Sequence, residues 1–229
     1  MSNILIVNKL TQAGFKRTEH DITTPLVVHA VAGGGKSSLL KLLTPHFRVG
    51  TAAPANLYSF GGDHFVPVAA GCQIVDEYQS ARTLPESAIA LVGDPLQDPL
   101  CSHSLKPHYI KYQSHRVGPE VAAALKFIPI IPAGQSRLQL SSAYEKDPEG
   151  LVISYEPSVC DILRRHQVEH KHPNEVRSEE YPTVTVYTTS TVIPPSDHSN
   201  FYVALTRATA KILWLTLDAT DPGHPAADL

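Results

Sequence analysis

Short apolar runs alternate with amphipathic segments along the first half of the chain. Residues 26–31 (LVVHAV) are apolar and largely β-branched and lead directly into three glycines, and residues 37–47 carry leucines at helical spacing as far as Pro45. Two further apolar runs, within residues 71–78 and 88–97, end in acidic residues. Continuous apolar strands joined by helical segments are typical of a parallel sheet covered on both faces, so the pattern predicts an α/β fold.

The second half of the chain shows the same alternation. The pattern predicts helices over 119–127, 157–170 and 197–211 and strands over 151–157, 183–189 and 212–217. The apolar run at 127–134 (FIPIIPAG) is predicted as a buried strand, with an exposed patch for self-association or membrane contact as the alternative. Few periodic apolar positions occur in 98–109, which places the domain boundary there and predicts domains over 1–107 and 108–229.

Composition and charge narrow the class of protein. The chain has 229 residues, 42% of them hydrophobic and 18% charged, and a net charge of −3, which predicts a soluble globular protein. Residues 1–107 hold eight basic and eight acidic side chains and residues 108–229 hold eleven and fourteen, so any RNA contact must come from a local cluster. The three cysteines have no disulfide or Cys-x-x-Cys spacing. We expect neither a signal peptide nor an integral membrane segment.

The stretch AVAGGGKS at 30–37 matches most of a phosphate-binding loop. Gly35, Lys36 and Ser37 fit the end of the pattern Gly-x4-Gly-Lys-Ser/Thr, whereas Ala30 occupies the place of the first glycine. The glycines let backbone N–H groups approach a phosphate, the lysine reaches the β- and γ-phosphates, and the serine hydroxyl ligates Mg²⁺. A glycine-rich turn without a ligand is the alternative. The candidate nucleotide-binding residues of this loop are Gly33, Gly34, Gly35, Lys36, Ser37 and Ser38.

Two acidic motifs follow the next apolar runs. In IVDEY, Asp76 ends a strand and is placed to bind Mg²⁺, and Glu77 can orient the attacking water or accept its proton. In GDPLQ, we expect Asp94 and Gln97 to lie at the end of an adjacent strand within reach of the γ-phosphate, where a glutamine can position water. A helix-capping pair of acids and a plain turn are the respective alternatives.

Two arginines in the second half complete the candidate catalytic set. Arg116 lies in YQSHRVG and Arg207 in YVALTRAT. ATP hydrolysis spreads negative charge over the γ-phosphate oxygens, and an arginine from a second domain can stabilise that charge when a cleft closes. For each arginine alone, a surface or salt-bridged side chain is the alternative.

Through AGGGKSS, VDEY, GDPLQ, SHR and YVALTRAT, the chain resembles the superfamily-one RNA helicases of plus-strand RNA viruses over nearly its full length. Within them it looks most like the first triple gene block proteins of potexvirus-like plant viruses. The resemblance implies two tandem RecA-like P-loop NTPase domains, with the phosphate-loop, acidic and GDPLQ motifs in the first and the SHR and ALTRA motifs in the second. It also implies ATP and Mg²⁺ as cofactors, ATPase and RNA helicase activity, transport of viral RNA between cells and suppression of RNA silencing.

Further expectations follow from the same resemblance. The partners it implies are single-stranded viral RNA, other viral movement proteins, coat protein and a second copy of the chain, and the location it implies is the host cytoplasm and plasmodesmata. The chain departs from the family pattern at Ala30 and at Arg177-Ser178, where the family has Gln-Gly. That motif couples nucleotide state to the RNA strand, so the departure concerns unwinding more than nucleotide binding. The alternative hypothesis is therefore a non-enzymatic, RNA-binding movement and suppressor protein with a vestigial ATP site.

Three weaker signals remain open. The spacing of Cys160, His166, His170 and His172 is not that of a structural zinc site, although the first two histidines would share a helix face. The stretch RRHQVEHKH at 164–172, which contains the three histidines, could instead contact RNA phosphates, with a solvated polar face as the alternative. After the first helix and its next strand, Thr51, Asn56 and Tyr58 could contact RNA, with an ordinary loop as the alternative. A small-molecule kinase would use the same phosphate loop, but no acceptor pocket or lid can be assigned.

Overall fold

The computed structural model describes residues 2–53, 59–60, 63–64, 66–98 and 105–218. The chain divides into two compact units. The first comprises Met1–His115 and Pro129–Ile131, and the second comprises Arg116–Ile128 and Pro132–Leu229.

Both units are built from short helices and strands. The helices are α1 (Ser2–Gln12), α2 (Lys36–Leu43), α3 (Pro119–Ala124), α4 (Pro157–Arg165) and α5 (His198–Leu205). The strands are β1 (Lys16–Arg17), β2 (Leu26–Ala30), β3 (Val49–Thr51), β4 (Ser59–Phe60), β5 (Asp63–His64), β6 (Val66–Pro67), β7 (Ile74–Asp76), β8 (Ala90–Gly93), β9 (Tyr109–Lys111), β10 (Gln113–Ser114), β11 (Ile131–Pro132), β12 (Arg137–Ser142), β13 (Leu151–Ile153), β14 (Tyr181–Thr188) and β15 (Ala208–Thr216).

The first unit contains a seven-stranded sheet in the order β1-β9-β2-β8-β7-β3-β6. All its pairings are parallel except that of β1 with β9. On one face, the apolar stripes of α1 and α2 pack together, with Ile6 and Leu10 buried against Leu39, Leu40 and Leu43. Helix α1 is absent from the prediction, although Ile6 and Leu10 have the i, i+4 spacing of a helical stripe.

The second unit contains a four-stranded parallel sheet in the order β12-β15-β14-β13. Its central strands β14 and β15 are long and largely buried. Helix α4 packs on Leu213 and Leu215 of β15, and Phe201 of α5 packs on Trp214, which points to the opposite face. The prediction of a mixed α/β fold with parallel sheets is therefore confirmed in both units.

Three sequence predictions need correction. Helix α4 ends at Arg165 rather than at residue 170, because Gln167 has a left-handed φ of 58°. Helix α5 ends at Leu205, and the residues from Ala208 onwards form the start of β15 instead of more helix, because they pair with β14. The run at 127–134 is not a buried strand: β11 has two residues, and Ile131 is 53% exposed.

The two compact units divide at residue 115/116. The eight residues after the predicted boundary at 107/108 lie in the first unit, because β9 pairs in parallel with the central strand β2. Residues Pro129–Ile131 also return to the first unit, where the Ile131 N–H donates to the carbonyl of Tyr112 over 2.8 Å. Within the described ranges, no helix is both long and apolar enough to cross a membrane.

Candidate nucleotide-binding site

Three loops that follow neighbouring parallel strands of the first unit carry the candidate chemistry. Strands β2, β8 and β7 are adjacent, and they are followed by the glycine loop, by Asp94 and by Glu77. In open parallel sheets, ligands bind beyond the carboxyl ends of the strands. The sheet order therefore brings the three predicted motifs to one edge of one sheet.

The glycines of the loop are required for two different reasons. Gly33 and Gly35 have φ angles of 72° and 90°, in the left-handed region that favours glycine. Gly34 is required for space, because a Cβ there would lie 2.8 Å from the carbonyl oxygen of Val31 and 2.9 Å from the Cβ of Ala30. The loop thus has the tight geometry of a phosphate cradle and leads directly into α2.

Ala30 fits this loop without distortion. It is the last residue of β2 and is 2% exposed, and its carbonyl oxygen accepts a hydrogen bond of 2.9 Å from Lys36 Nζ. Ala30 has strand conformation, which any residue can adopt, so the loop does not need the extra conformational freedom of a glycine at this position. The methyl group only requires that residue 34 be glycine, which it is.

Residues at and just after the end of β9 form hydrogen bonds with the backbone of the phosphate loop. The sequence analysis did not predict this role. Ser114 Oγ donates to the carbonyl of Ala32 over 2.7 Å, and the His115 N–H donates to the carbonyl of Gly33 over 3.0 Å. At the end of β9, the carbonyl of the buried Lys111 accepts from the Val31 N–H over 3.2 Å, and burial lowers the pKa of its amine. Only the pairing of β9 with β2 reveals these contacts, since the residues are about 80 positions away from the loop in sequence.

Lys36, Asp94 and Gln97 form a connected chain of polar contacts. The Lys36 amine lies 3.9 Å from Asp94 Oδ2, and Gln97 Nε2 donates to the same oxygen over 2.8 Å. Asp94 and Gln97 are 2% and 4% exposed. The structure therefore brings together the predicted phosphate lysine and both predicted residues of GDPLQ.

Asp76 has one carboxylate oxygen that the rest of the described protein does not satisfy. Its Oδ2 accepts from Thr51 Oγ1 over 3.3 Å, whereas Oδ1 is buried and has no hydrogen-bond partner among the described residues. A buried carboxylate oxygen without a partner is costly unless a cation or water satisfies it. Together with the exposed hydroxyl of Ser37 at the first turn of α2, this oxygen fits the hard oxygen donor set that Mg²⁺ prefers. Ser38 is also exposed in that turn.

The pKa of Asp76 is raised to about 7, mainly by burial and next by the neighbouring Glu77 carboxylate, while Lys36 acts in the opposite direction. The folded chain thus binds this proton more tightly than the unfolded chain, whose value is near 3.8. The stabilisation that results is complete below pH 3.8 and is lost as the pH rises through about 7.

In the absence of Mg²⁺, Asp76→Asn is accordingly expected to increase thermal stability most at pH 8 and by a smaller amount at pH 5, where the unfolded chain already loses this proton but the folded chain keeps it. The neutral amide resembles the protonated carboxyl group and removes the charge that is unfavourable at high pH. Thermal melts of wild type and variant between pH 5 and pH 8 measure this difference. The exposed Glu86→Gln is the matched control and should leave the pH dependence unchanged. A parallel pair of curves for Asp76→Asn and wild type would contradict the prediction.

Glu77 adopts a left-handed conformation with φ of 50°, which turns the chain sharply after β7. Gln79 Nε2 donates to Glu77 Oε2 over 2.5 Å, and the Tyr78 hydroxyl forms a 2.6 Å hydrogen bond with His29 Nε2 on β2. Burial lowers the pKa of His29 to about 4, so this ring is neutral at physiological pH. Sequence reasoning found Asp76 and Glu77 but not these contacts.

The two predicted arginines belong to the second unit. Arg116 Nη1 donates to the carbonyl of Thr206 over 2.8 Å, and its Nη2 is paired with Glu180. Arg207 is 2% exposed and donates to the carbonyls of Val203 and Glu179 and to Thr206 Oγ1. Both side chains thus lie around the turn between α5 and β15, and their catalytic roles stay predictions.

The backbone at the Arg177-Ser178 departure has an unusual conformation. Ser178 has φ of 65°, in the left-handed region that glycine adopts most easily. Arg177 Nη2 donates to Asn174 Oδ1 over 2.7 Å. The backbone at position 178 therefore has a glycine-like conformation although the side chain is serine.

Ser178→Gly is expected to be neutral or to stabilise the chain by up to about 1 kcal/mol, because relief of left-handed strain offsets the greater flexibility of the unfolded chain. Urea denaturation measures the change in unfolding free energy. Ser199→Gly, inside α5, is the control and should destabilise because glycine is a poor helix former. Equal losses in the two variants would refute the interpretation.

The weaker candidates are placed as follows. Thr51 is 1% exposed and its hydroxyl is bonded to Asp76 and to the Ala53 N–H, an arrangement that does not support an RNA contact. Asn56 and Tyr58 lie outside the described residues. His166 and His170 do not share a helix face, since α4 ends at Arg165. Across the described part of the chain, no three His, Cys, Asp or Glu side chains are grouped to hold a metal ion.

Comparison with known proteins adds three findings. The profile of the viral superfamily 1 RNA helicase core domain matches residues 26–216. The chain is 35% identical to the movement and silencing protein TGBp1 of strawberry mild yellow edge-associated virus, covering 93% of this chain and 95% of that protein. It is 32% identical to the protein of the same name from papaya mosaic potexvirus, covering 90% and 92%.

Solved structures show the same fold at low sequence identity. The arterivirus nonstructural protein 10 helicase superposes with a TM-score of 0.51 at 15% identity over 96% of this chain. A complex of that arterivirus helicase with DNA superposes with a TM-score of 0.50 at 17% identity over 93% of this chain. The chain spans 57% and 56% of the lengths of these two helicases.

Proposed function

This chain belongs to the viral superfamily 1 RNA helicase core family, and we propose that it is an ATP-hydrolysing, RNA-binding movement and silencing-suppressor protein of a plant RNA virus. Relatives that match it over nearly their whole length carry the name movement and silencing protein. The site geometry of the first unit supports the enzymatic part of the proposal. The names of the relatives support the biological part.

The single observation that carries ATP hydrolysis is the convergence of the Lys36 amine and Asp94 beside a well-formed phosphate loop. Lys36 is held by the Ala30 carbonyl and is only 10% exposed in its side chain, so its charge acts in a poorly solvated environment. A phosphate in the loop would therefore be attracted by the Lys36 amine and by the N–H groups of the loop. These contacts support a functional phosphate loop over a glycine-rich turn without a ligand.

We assign the chemical roles as follows. Lys36 and the loop N–H groups hold the β- and γ-phosphates of ATP, and Ser37 and Asp76 hold Mg²⁺, which neutralises phosphate charge when bound. Glu77 orients the attacking water and accepts its proton. Gln97, fixed by Asp94, senses the γ-phosphate. Arg116 and Arg207 stabilise the negative charge of the transition state.

We further propose that each unit is a RecA-like domain. The parallel sheet of the first unit, with its loop between β2 and α2, supports this assignment, and so does the all-parallel sheet of the second. The likeness in fold to the arterivirus helicase, over 96% of this chain and 57% of that protein, also supports it.

For partners and location, the proposal follows the family and the names of the relatives. The nucleic-acid partner is single-stranded viral RNA, and the protein partners are other viral movement proteins, coat protein and a second copy of the chain. The location is the host cytoplasm, extending to plasmodesmata.

The rival function is an RNA-binding movement and suppressor protein without enzymatic activity. The Arg177-Ser178 departure favours it, since the family uses that position to couple nucleotide state to RNA. The fit of Ala30 removes the other argument for it, because the phosphate loop closes without the first glycine.

An ATPase titration with single-stranded RNA distinguishes the two functions. Phosphate release should depend on Mg²⁺ and rise with RNA concentration, and it should be measured at stated salt because phosphate contacts are salt-sensitive. Purified chain that binds RNA but releases no phosphate, with or without RNA, would establish the rival function instead.

A further inference from the structure

Gln79 is a buried polar residue of the first unit that the mechanism above does not use. It is 1% exposed, although it follows the Asp76-Glu77 pair by only two positions. Its Nε2 donates to Glu77 Oε2 over 2.5 Å. Because a carboxylate only accepts hydrogen bonds, the amide nitrogen has to face Glu77.

The other end of the amide is poorly satisfied. Gln79 Oε1 is buried and has no hydrogen-bond partner among the described residues. A buried acceptor without a partner destabilises a fold, and an apolar side chain of similar length would avoid that loss. Packing alone therefore does not account for a glutamine at this position.

Gly93 provides the space in which the amide lies. A Cβ at Gly93 would lie 2.2 Å from Gln79 Oε1 and 2.9 Å from Tyr78 Cδ1. Gly93 ends β8 and is the register partner of His29 on β2. His29 in turn forms the 2.6 Å hydrogen bond with the Tyr78 hydroxyl, and the two rings are stacked. Tyr78 and Gln79 are thus both anchored to one pair of residues on the two central strands.

Glu77 needs such an anchor because its own backbone is unusual. A non-glycine residue at φ of 50° is strained, and it persists only where surrounding contacts hold it. The contacts of Tyr78 and Gln79 fix the turn immediately after Glu77, and the Gln79 amide also fixes the carboxylate itself. The carboxylate is thereby confined to one orientation relative to the phosphate loop strand.

We propose that Gln79 is a positioning residue, whose amide, lying against Gly93, holds the Glu77 carboxylate in the orientation that activates water for ATP hydrolysis. The proposal rests on the proposed function, because it concerns the same reaction. On this proposal, the general base Glu77 is oriented by the whole turn DEYQ (76–79) and not by the acidic pair alone.

Gln79→Met tests the proposal because methionine has a similar length and no hydrogen-bond donor. We expect kcat for ATP to fall roughly 10- to 100-fold, as for other residues that orient a reacting group, with KM for ATP unchanged. The melting temperature should change little, since loss of the hydrogen bond to Glu77 is offset by removal of the unpartnered acceptor. Gln12→Met, at an exposed position of α1, is the matched control and should retain wild-type kinetics.

A double-mutant cycle separates positioning from a structural effect. In a Glu77→Gln background, Gln79→Met should cause no further loss of kcat, because the carboxylate that it orients is already absent. An unchanged kcat in Gln79→Met, or an equal fall in both backgrounds, would overturn the Gln79 role while leaving the proposed function intact. A wild-type chain that hydrolyses no ATP would instead overturn the proposed function, and this role with it.

Discussion

Lys36→Ala should reduce ATP hydrolysis by roughly 10²- to 10³-fold, the loss typical of removing one preorganised group that stabilises transition-state charge. The amine is held by the Ala30 carbonyl and lies 3.9 Å from Asp94, so it is fixed before any ligand arrives. Its removal takes away both phosphate attraction and this preorganisation. Steady-state phosphate release with saturating Mg²⁺ and RNA measures the effect.

The fold should survive this substitution, because α2 is anchored by its buried leucines rather than by Lys36. Thermal melting of Lys36→Ala within a few degrees of wild type would support that expectation. Lys106→Ala removes an exposed lysine of the same unit and serves as the control for charge alone. Wild-type turnover in Lys36→Ala would mean that the phosphate loop is not the site of hydrolysis.

Loss of Arg207 should lower kcat by about 10³-fold, the lower end of the range for an arginine that stabilises the phosphoryl transition state. Arg207→Lys should restore little activity, since lysine lacks the planar fork of donors. Single-turnover hydrolysis measures the chemical step directly. An unchanged rate in Arg207→Ala would remove this role.

The burial of Arg207 requires a control for folding. Arg207 donates to three acceptors around the α5–β15 turn, so alanine leaves Val203, Glu179 and Thr206 without that donor. Kinetics should therefore be measured well below the melting temperature of the variant. Arg137→Ala, an exposed arginine on β12, is the matched control and should keep wild-type turnover.

The elements around the site were predictable because local signals agree there. At β2, an apolar strand, three glycines and a leucine stripe ended by Pro45 all indicate strand, loop and helix in that order. At β7 and β8, the apolar runs stop at the acids that follow them. Each of these signals lies within about ten residues, so the sequence alone contains them.

The remaining features depend on contacts between distant residues. The segment from Ala208 to Lys211 looks helical by itself, and only pairing with β14 makes it a strand. Gln79 packs against Gly93, which is 14 positions away in sequence. Tyr78 forms a hydrogen bond with His29, which is 49 positions away. Nothing in the local sequence around Gln79 indicates that this glutamine is buried rather than exposed.

The support of the phosphate loop by Ser114 and His115 has a consequence for biosynthesis. Domains generally fold in order as they leave the ribosome. The loop, made early at residues 30–37, has to wait for β9 and for the segment at 109–115 before its carbonyls are satisfied. A nascent or recombinant fragment that stops at residue 107 would lack these hydrogen bonds, so a fragment that keeps the loop's support must extend to at least His115.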